Sequence, residues 1–473
     1  MKKPERLIGF ISDDDIGFPF EFDEKTFSIM LYPPTMEVWK EYSSPIRFFD
    51  SIKQDVKTHK WISQKELKGT TSEGYHIIFN VQDESSIYHG FINYDVNWYI
   101  CHSDAMLIDK IDGFRILGHD VNLFYPPQIA LESKFEFNED GKALEKISVS
   151  SIRQQFKSCG KYRVGKNIDA DVEITAYASY HSGTGTNPID AISSMITSFS
   201  VPVGIDTLID AYFNVRHFFQ YITYRKNVDI GDVDLFFKNE KGLRDYSGII
   251  VFPYKYEKES HKKLHDRIIP YRLLEKNAAK LFTAIKNNVL GFQHLCDSID
   301  NMRHFSASRI IMILSAFERE FRNIYGQDSG RSDEYLEVKN EVVTLIESYF
   351  ESKQGEKRQY AKQLKKYVEN RDSSFESNVK FALADCEEIL TPFIMRKYPG
   401  TYTDIIHGIS SRMGEVRNGI AHSRLDMDFD AIHLADIRVV EELIYAIRLK
   451  KSSISILVCK KVINQLFGEN FAL

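Results

Sequence analysis

The chain has 473 residues, 43% of them apolar and 13% aromatic, with 33 Phe and 25 Tyr; this excludes global disorder, and the length calls for two, or even three, domains. A net charge of −6 and a pI near 6.2 exclude a sequence-independent nucleic-acid coat protein, which would be broadly basic, but leave room for an enzyme with a local basic pocket. The cysteines, at 101, 159, 296, 386 and 459, are odd in number and scattered, and none forms a Cys-x-x-Cys pair. That pattern argues against a disulfide framework or a zinc ribbon and fits a reducing cytoplasm.

Lys2 and Lys3 precede a short apolar run, 7–11, which stops at Asp13-Asp14-Asp15, well short of a signal-peptide core. The apolar stretches 310–317 and 454–459 do not approach the ~20 residues that span a bilayer. The expectation is a cytoplasmic protein with no membrane segment. From residue 1 to about 150 the pattern is strand-like, with aromatic and β-branched runs at 75–81, 88–92 and 98–100 broken by Gly, Asp, Asn and Pro. Residues 134–137 and 146–149 flank Asn138-Glu139-Asp140-Gly141, a turn-rich tetrad that predicts a hairpin. A further β segment, 172–180, runs into the loop 182–188. Over 188–227 the period becomes helical, with Leu208, Tyr212, Val215, Phe219 and Ile222 three or four residues apart.

One more strand, 248–253, precedes a charged stretch, 255–267, that reads as the connection between domains. Beyond about Pro270 amphipathic helices are predicted near 271–290, 304–325, 334–351, 357–371, 377–396, 403–421, 430–449 and 453–467. In the second of these Ile310, Leu314, Phe317, Phe321 and Ile324 form the apolar stripe, and Gly326 stands where a C-terminal cap would end it. The fold class is therefore α+β: a β-rich domain over 1–260, with a helix near 188–227, followed by an all-helical domain over 270–473.

Near one predicted helix end, Gly414-Glu415-Val416-Arg417-Asn418-Gly419-Ile420-Ala421-His422-Ser423-Arg424 brings a guanidinium, an amide and an imidazole within six residues. RNA is cut without metal when its own 2′-OH attacks the adjacent phosphorus, which needs a group to move protons and a fixed cation for the phosphorane. His422 titrates near neutrality and Arg417 stays charged and can fork onto phosphate oxygens. Asn418 can hold His422 or a ribose hydroxyl.

Arg417-Asn418-Gly419-Ile420-Ala421-His422 resembles the Arg-Asn-x-x-x-His signature of HEPN ribonucleases. The helices before and after it, and the upstream helix carrying Ala316-Phe317-Glu318, resemble the order of elements in HEPN domains. The β-rich region ahead of such a bundle, with the aromatic helix around 212–224, resembles the layout of ApeA-like HEPN proteins of bacterial anti-phage defence. The resemblance implies a homodimer through the HEPN domain, with two motifs facing each other across a cleft that admits RNA. It also implies 2′,3′-cyclic phosphate and 5′-OH products, no cofactor and no metal. Only Arg417, Asn418 and His422 carry over as its site positions. An RNA substrate, transfer RNA among the candidates, and a phage-derived trigger sensed by the N-terminal domain follow from the same likeness, with abortive infection as the outcome.

Glu318 lies on or beside its helix's buried stripe and needs a partner; Arg417, which it would orient, and Arg322 at i+4 are both open. Lys362, Lys365 and Lys366 lie in a basic helix that supplies a field for RNA or is simply a solvated face. Arg424 adds charge to an RNA cleft or is a loop residue. The loop with Gly183 and Gly185 lacks the ending of a phosphate-binding loop. His261 and His265 lack further metal ligands. Asp13-Asp14-Asp15 reads as a strand-edge turn. The alternative function is a non-catalytic HEPN protein that dimerises or holds a nucleotide, with a β domain that binds a partner.

Overall fold

The computed structural model describes residues 7–13, 16–43, 65–88, 90–103, 106–137, 144–180, 189–254, 256–259, 264, 267–326, 333–369, 374–421 and 429–471. The chain divides into two compact units: Met1–Arg216 with Asp229–Lys258, and His217–Val228 with Glu259–Leu473. The first is β-rich and the second all-helical, so the chain is α+β. Among the described residues no helix is long and apolar enough to cross a membrane.

The first unit opens with β1 (Ile8–Asp13), β2 (Ile16–Asp23), β3 (Ser28–Leu31), α1 (Met36–Ser43), β4 (Glu66–Thr71), β5 (His76–Tyr88) and β6 (Phe91–His102). These strands pair in the order β6-β3-β2-β1-β4-β5 and β5 pairs back onto β6, which closes a six-stranded barrel. Alternate residues point inward, so Phe18, Phe20, Phe22, Ile29, Leu31, Phe79 and Tyr99 fill the interior. Gly69 lies opposite Ile11 across β1 and β4; a side chain there would run into the Phe10 carbonyl, so close approach of the two strands requires glycine.

The same β6 belongs to an open antiparallel sheet. It pairs with β3 through Ile92–Asp95 and with β14 (Arg244–Val251) through Tyr99–His102. β7 (Ile111–Leu117), followed by helix α2 (His119–Phe124), lies inside this sheet. With β10 (Gln155–Gly165), β11 (Ile168–Tyr180), β12 (Ile189–Val203) and β13 (Val233–Lys238) the order is β10-β11-β12-β7-β13-β14-β6. β8 (Leu131–Phe137) and β9 (Leu144–Ser151) form the predicted hairpin, with Phe135 opposite Ile147. Its turn tetrad, and the glycines of the 182–188 loop, lie outside the described residues.

Two sequence expectations need correction. The helix predicted near 188–227 is α3 (Ile205–Thr223), and the residues before it form the 15-residue strand β12. β12 is flanked by β11 and β7 and buries five consecutive residues from Ser193 to Thr197; a strand covered on both faces loses the alternation that marks a half-buried one. The domain predicted over 1–260 does not hold His217–Val228. Phe218 of that segment stacks on Phe282 at 4.3 Å and Tyr221 on Tyr445 at 4.4 Å, which makes it part of the helical core.

The helical unit continues through α4 (Tyr271–Leu274), α5 (Ala278–Lys286), α6 (Ala307–Tyr325), α7 (Asp333–Glu351), α8 (Glu356–Glu369), α9 (Phe375–Asp385), α10 (Glu387–Lys397), α11 (Tyr402–Ala421), α12 (Ala431–Lys451) and α13 (Ile456–Phe467). The segment predicted as one helix over 377–396 is divided at Cys386 between α9 and α10, and each half buries its own apolar face. α12 is the central helix: every residue from Val439 to Leu449 is buried, including Glu441, Glu442 and Arg448. A helix apolar nearly all round must be enclosed, and the buried charges within it must be paired.

They are. Glu441 accepts from Tyr224 Oη at 2.5 Å, Arg309 Nη2 at 2.8 Å and Arg438 Nη1 at 2.9 Å. Arg448 donates to Glu320, and Asp436 takes a fork from Arg412 at 2.6 and 3.0 Å together with Tyr398 Oη at 2.7 Å. Glu442 accepts from Lys397 at 2.6 Å, but its Oε2 has no hydrogen-bond partner among the described residues. Burial pushes its carboxyl up to about 7, with Lys397 opposing and Glu469 reinforcing the shift. A carboxyl raised in the folded state contributes stability that is complete below its unfolded range, near ~4.5, and is lost as pH rises through the folded value. The helical unit should therefore melt at a lower temperature at pH 8 than at pH 5. Glu442→Gln should flatten that part of the profile, while Lys397 keeps Glu469 at 3.2 Å. Glu469 is held below the usual range, so its own contribution is lost on the acid side, outside that window. An unchanged slope in thermal scans of Glu442→Gln would refute the assignment.

Candidate functional site

α11 positions the motif. Its buried face is Ile405, Ile406, Ile409, Met413 and Val416, a spacing of three and four that turns 417 and 418 away from the core. Gly414 lies where α11 meets α9: a Cβ there would come 3.1 Å from that of Glu376. The Arg412–Asp436 fork ties α11 to the central helix. Beyond the motif, Asp430 caps α12 by accepting from the backbone N–H groups of Ile432 and His433 at 3.0 Å each, and it meets His433 Nδ1 at 2.7 Å.

Arg417 lies just before the last turn of α11, its side chain 41% exposed, and donates through Nε to Glu318 Oε1 at 3.3 Å; the Glu318 side chain is 27% exposed. The contact crosses from α11 to α6. Of the two partners that the sequence left open for Glu318, this is the one described at hydrogen-bond distance. A half-exposed pair of this kind is worth only about 0–1 kcal/mol of stability, so its physical consequence is to restrict where the guanidinium points. Asn418 is exposed beside it. His422 and Arg424 lie outside the described residues, as do His261, His265, Asp14 and Asp15.

The basic helix α8 divides. Lys362 and Lys366 are exposed, and the Lys362 ammonium lies 5.8 Å from the centre of the Phe350 ring. Lys365 is bound to Glu347 and, at 3.2 Å, to Glu369; with two carboxylates against it, it offers a phosphate little net charge. If α8 contributes to RNA binding, Lys362→Glu with Lys366→Glu should reduce the slope of log affinity against log salt by about two, while Lys365→Gln should leave it nearly unchanged. Equal slopes in all three proteins would assign the helix to a solvated face.

Sequence reasoning singled out Glu318 and passed over Glu320, the carboxylate of that helix that is buried, at 2% exposure. It also passed over Arg309, Arg412 and the acids of α12. The available signal was Glu441-Glu442 inside an otherwise apolar run. Several cavities open in the helical unit, among them these two. One of 780 Å³ is lined in part by Lys226, Phe292, Phe305 and Arg309, and one of 680 Å³ by Arg267, Arg303 and Asn464. Neither takes in Arg417, Asn418 or Glu318. Among the described residues there is no group of three or more His, Cys, Asp and Glu placed to hold a metal.

Comparison of the chain with protein-family models, with curated proteins and with solved structures finds no match.

Proposed function

We propose that the helical unit is a metal-independent endoribonuclease of the HEPN type, acting as a homodimer in anti-phage defence, with Arg417, Asn418 and His422 as its site. The observation that carries this reading is the exposed Arg417 guanidinium at the end of α11, braced at 3.3 Å by a carboxylate from α6. The contact uses Nε, so the forked Nη pair remains for a phosphate. His422, the residue after Ala421 in the chain, takes the proton from the ribose 2′-OH. The O2′–phosphorus bond forms as the phosphorus–O5′ bond breaks, Arg417 carries the negative charge that builds on the phosphorane, and the second copy's motif returns a proton to O5′. The products are a 2′,3′-cyclic phosphate and a 5′-OH. The β-rich unit acts as the sensor that holds the activity in check until a phage-derived trigger arrives.

The test is purified protein with mixed RNA in EDTA, wild type against His422→Ala, with single-stranded DNA as the control that lacks the nucleophile. Cleavage of RNA by the wild type alone is expected. Efficient cutting of DNA, or equal cutting by His422→Ala, defeats the reading. The second reading, a bundle that holds a small ligand without cutting RNA, draws on the 780 Å³ cavity with its aromatic lining and Arg309. It is favoured if a nucleotide raises the melting temperature of a protein that leaves RNA intact.

A further inference from the structure

α7 and α8 form an antiparallel hairpin. Glu347 meets Lys365 and Phe350 lies under Lys362, so positions rise on one helix as they fall on the other. Leu336, Val343, Ile346 and Phe350 of α7, and Ala361, Lys365 and Val368 of α8, are buried or half-buried, and these inward positions include Phe350 and Lys365, one member of each contact. The residue just before nearly every one of them is a large apolar side chain exposed to solvent. On α7 these are Tyr335 at 42%, Val342 at 36%, Leu345 at 68% and Tyr349 at 50%; on α8 they are Tyr360 at 60%, Leu364 at 59% and Tyr367 at 68%. Val338, 57% exposed, completes the α7 series, whose steps of three, four, three and four are a heptad seam. Stepping back one residue rotates a side chain by about 100° around each helix. In an antiparallel pair both rotations go to the same side, so the two seams form one apolar face.

The charges identify what covers it. α7 carries six carboxylates and one lysine, α8 five basic residues and two carboxylates. Glu334, Glu337 and Glu341 border the seam on α7, and Lys366 borders it on α8. A second copy turned about a two-fold axis along the helices sets α7 over its partner's α8, antiparallel and oppositely charged. A two-fold across the helices sets α7 over α7, with like charges facing. We infer that this face is a self-association surface, in which two hairpins pair about the lengthwise two-fold into a four-helix bundle with both 352–355 turns at one end. The inference goes beyond the RNA-cleavage reading and does not rest on it.

Sedimentation of the full chain without RNA tests it. Leu345→Asp places a carboxylate at the middle of the seam on a side chain already exposed, so the fold should be kept, as checked by circular dichroism and melting, while self-association weakens about 100-fold. Orientation is read from Gln354→Cys with a short bis-maleimide. The native cysteines are all buried, so the turn is what the reagent labels, and a cross-linked dimer is expected that Leu345→Asp abolishes. A protein monomeric at every concentration, or self-association of the full chain that Leu345→Asp leaves unchanged, overturns the inference. A dimer whose turns do not cross-link overturns the lengthwise two-fold.

Discussion

An Arg417→Ala chain is expected to cleave RNA about 10²–10³-fold more slowly than the wild type while melting at the same temperature. The rate loss is that of removing one positioned donor from the charge that develops in a transition state. The unchanged melting follows from exposure: a pair whose side chains are 41% and 27% accessible contributes about 0–1 kcal/mol. Glu318 acts through Arg417, so Glu318→Gln should lower kcat by about 10-fold with KM little changed, as expected of a contact that aims a charge without binding substrate. In the Arg417→Ala background it should cost nothing more, since the group it orients is gone. Single-turnover cleavage in EDTA with matched melting curves makes the measurement. Wild-type rates for Arg417→Ala would show that the guanidinium does not carry the chemistry, and full additivity of the two substitutions would show that Glu318 does not act through it.

Glu441→Leu is expected to destabilise the helical unit by about 3–5 kcal/mol, the cost of breaking a buried ion pair by removing one member. Glu441 is fully buried and accepts from three donors. Its loss leaves Arg309 with backbone carbonyls alone and Arg438 with its carboxylate partner Glu442 only at 4.0 Å, on side chains that are just 11% and 13% exposed. Tyr224 loses less, because burial already keeps its phenol protonated and well above its ordinary range. Tyr224→Phe should therefore cost only about 1 kcal/mol. For a domain of this size the Glu441→Leu transition should fall by roughly 10 °C. Calorimetry on the full chain resolves it from the β-rich unit. A fall of a degree or two would mean that water or rearrangement satisfies the two arginines, and that the network is not a structural requirement.

What was legible in the sequence was local. The apolar spacing of α6 and its stops are chain properties: Ser306 accepts from the Arg309 N–H, and Gly326 closes the helix at φ 86°. The β8–β9 hairpin announced itself through a turn-rich tetrad between alternating runs. The motif on α11 was visible because it is compact, with its residue types adjacent in the chain. β12 was not legible, because a strand covered on both faces shows no period of two. His217–Val228 was not legible either, because nothing in one continuous helix marks where its partners change.

With β12 as the exception, the sequence by itself determined which segments coil and which extend, since those preferences are settled by a residue and its neighbours within a few positions. It also left Glu318 with two candidate partners, 99 residues and four residues away. Only the tertiary structure closed six strands into a barrel through the second pairing of β6, brought Glu318 across to Arg417, and buried Glu320, Glu441 and Glu442. Each of those outcomes depends on the distance between groups far apart in the chain. That distance is set by how the faces pack and not by any local preference.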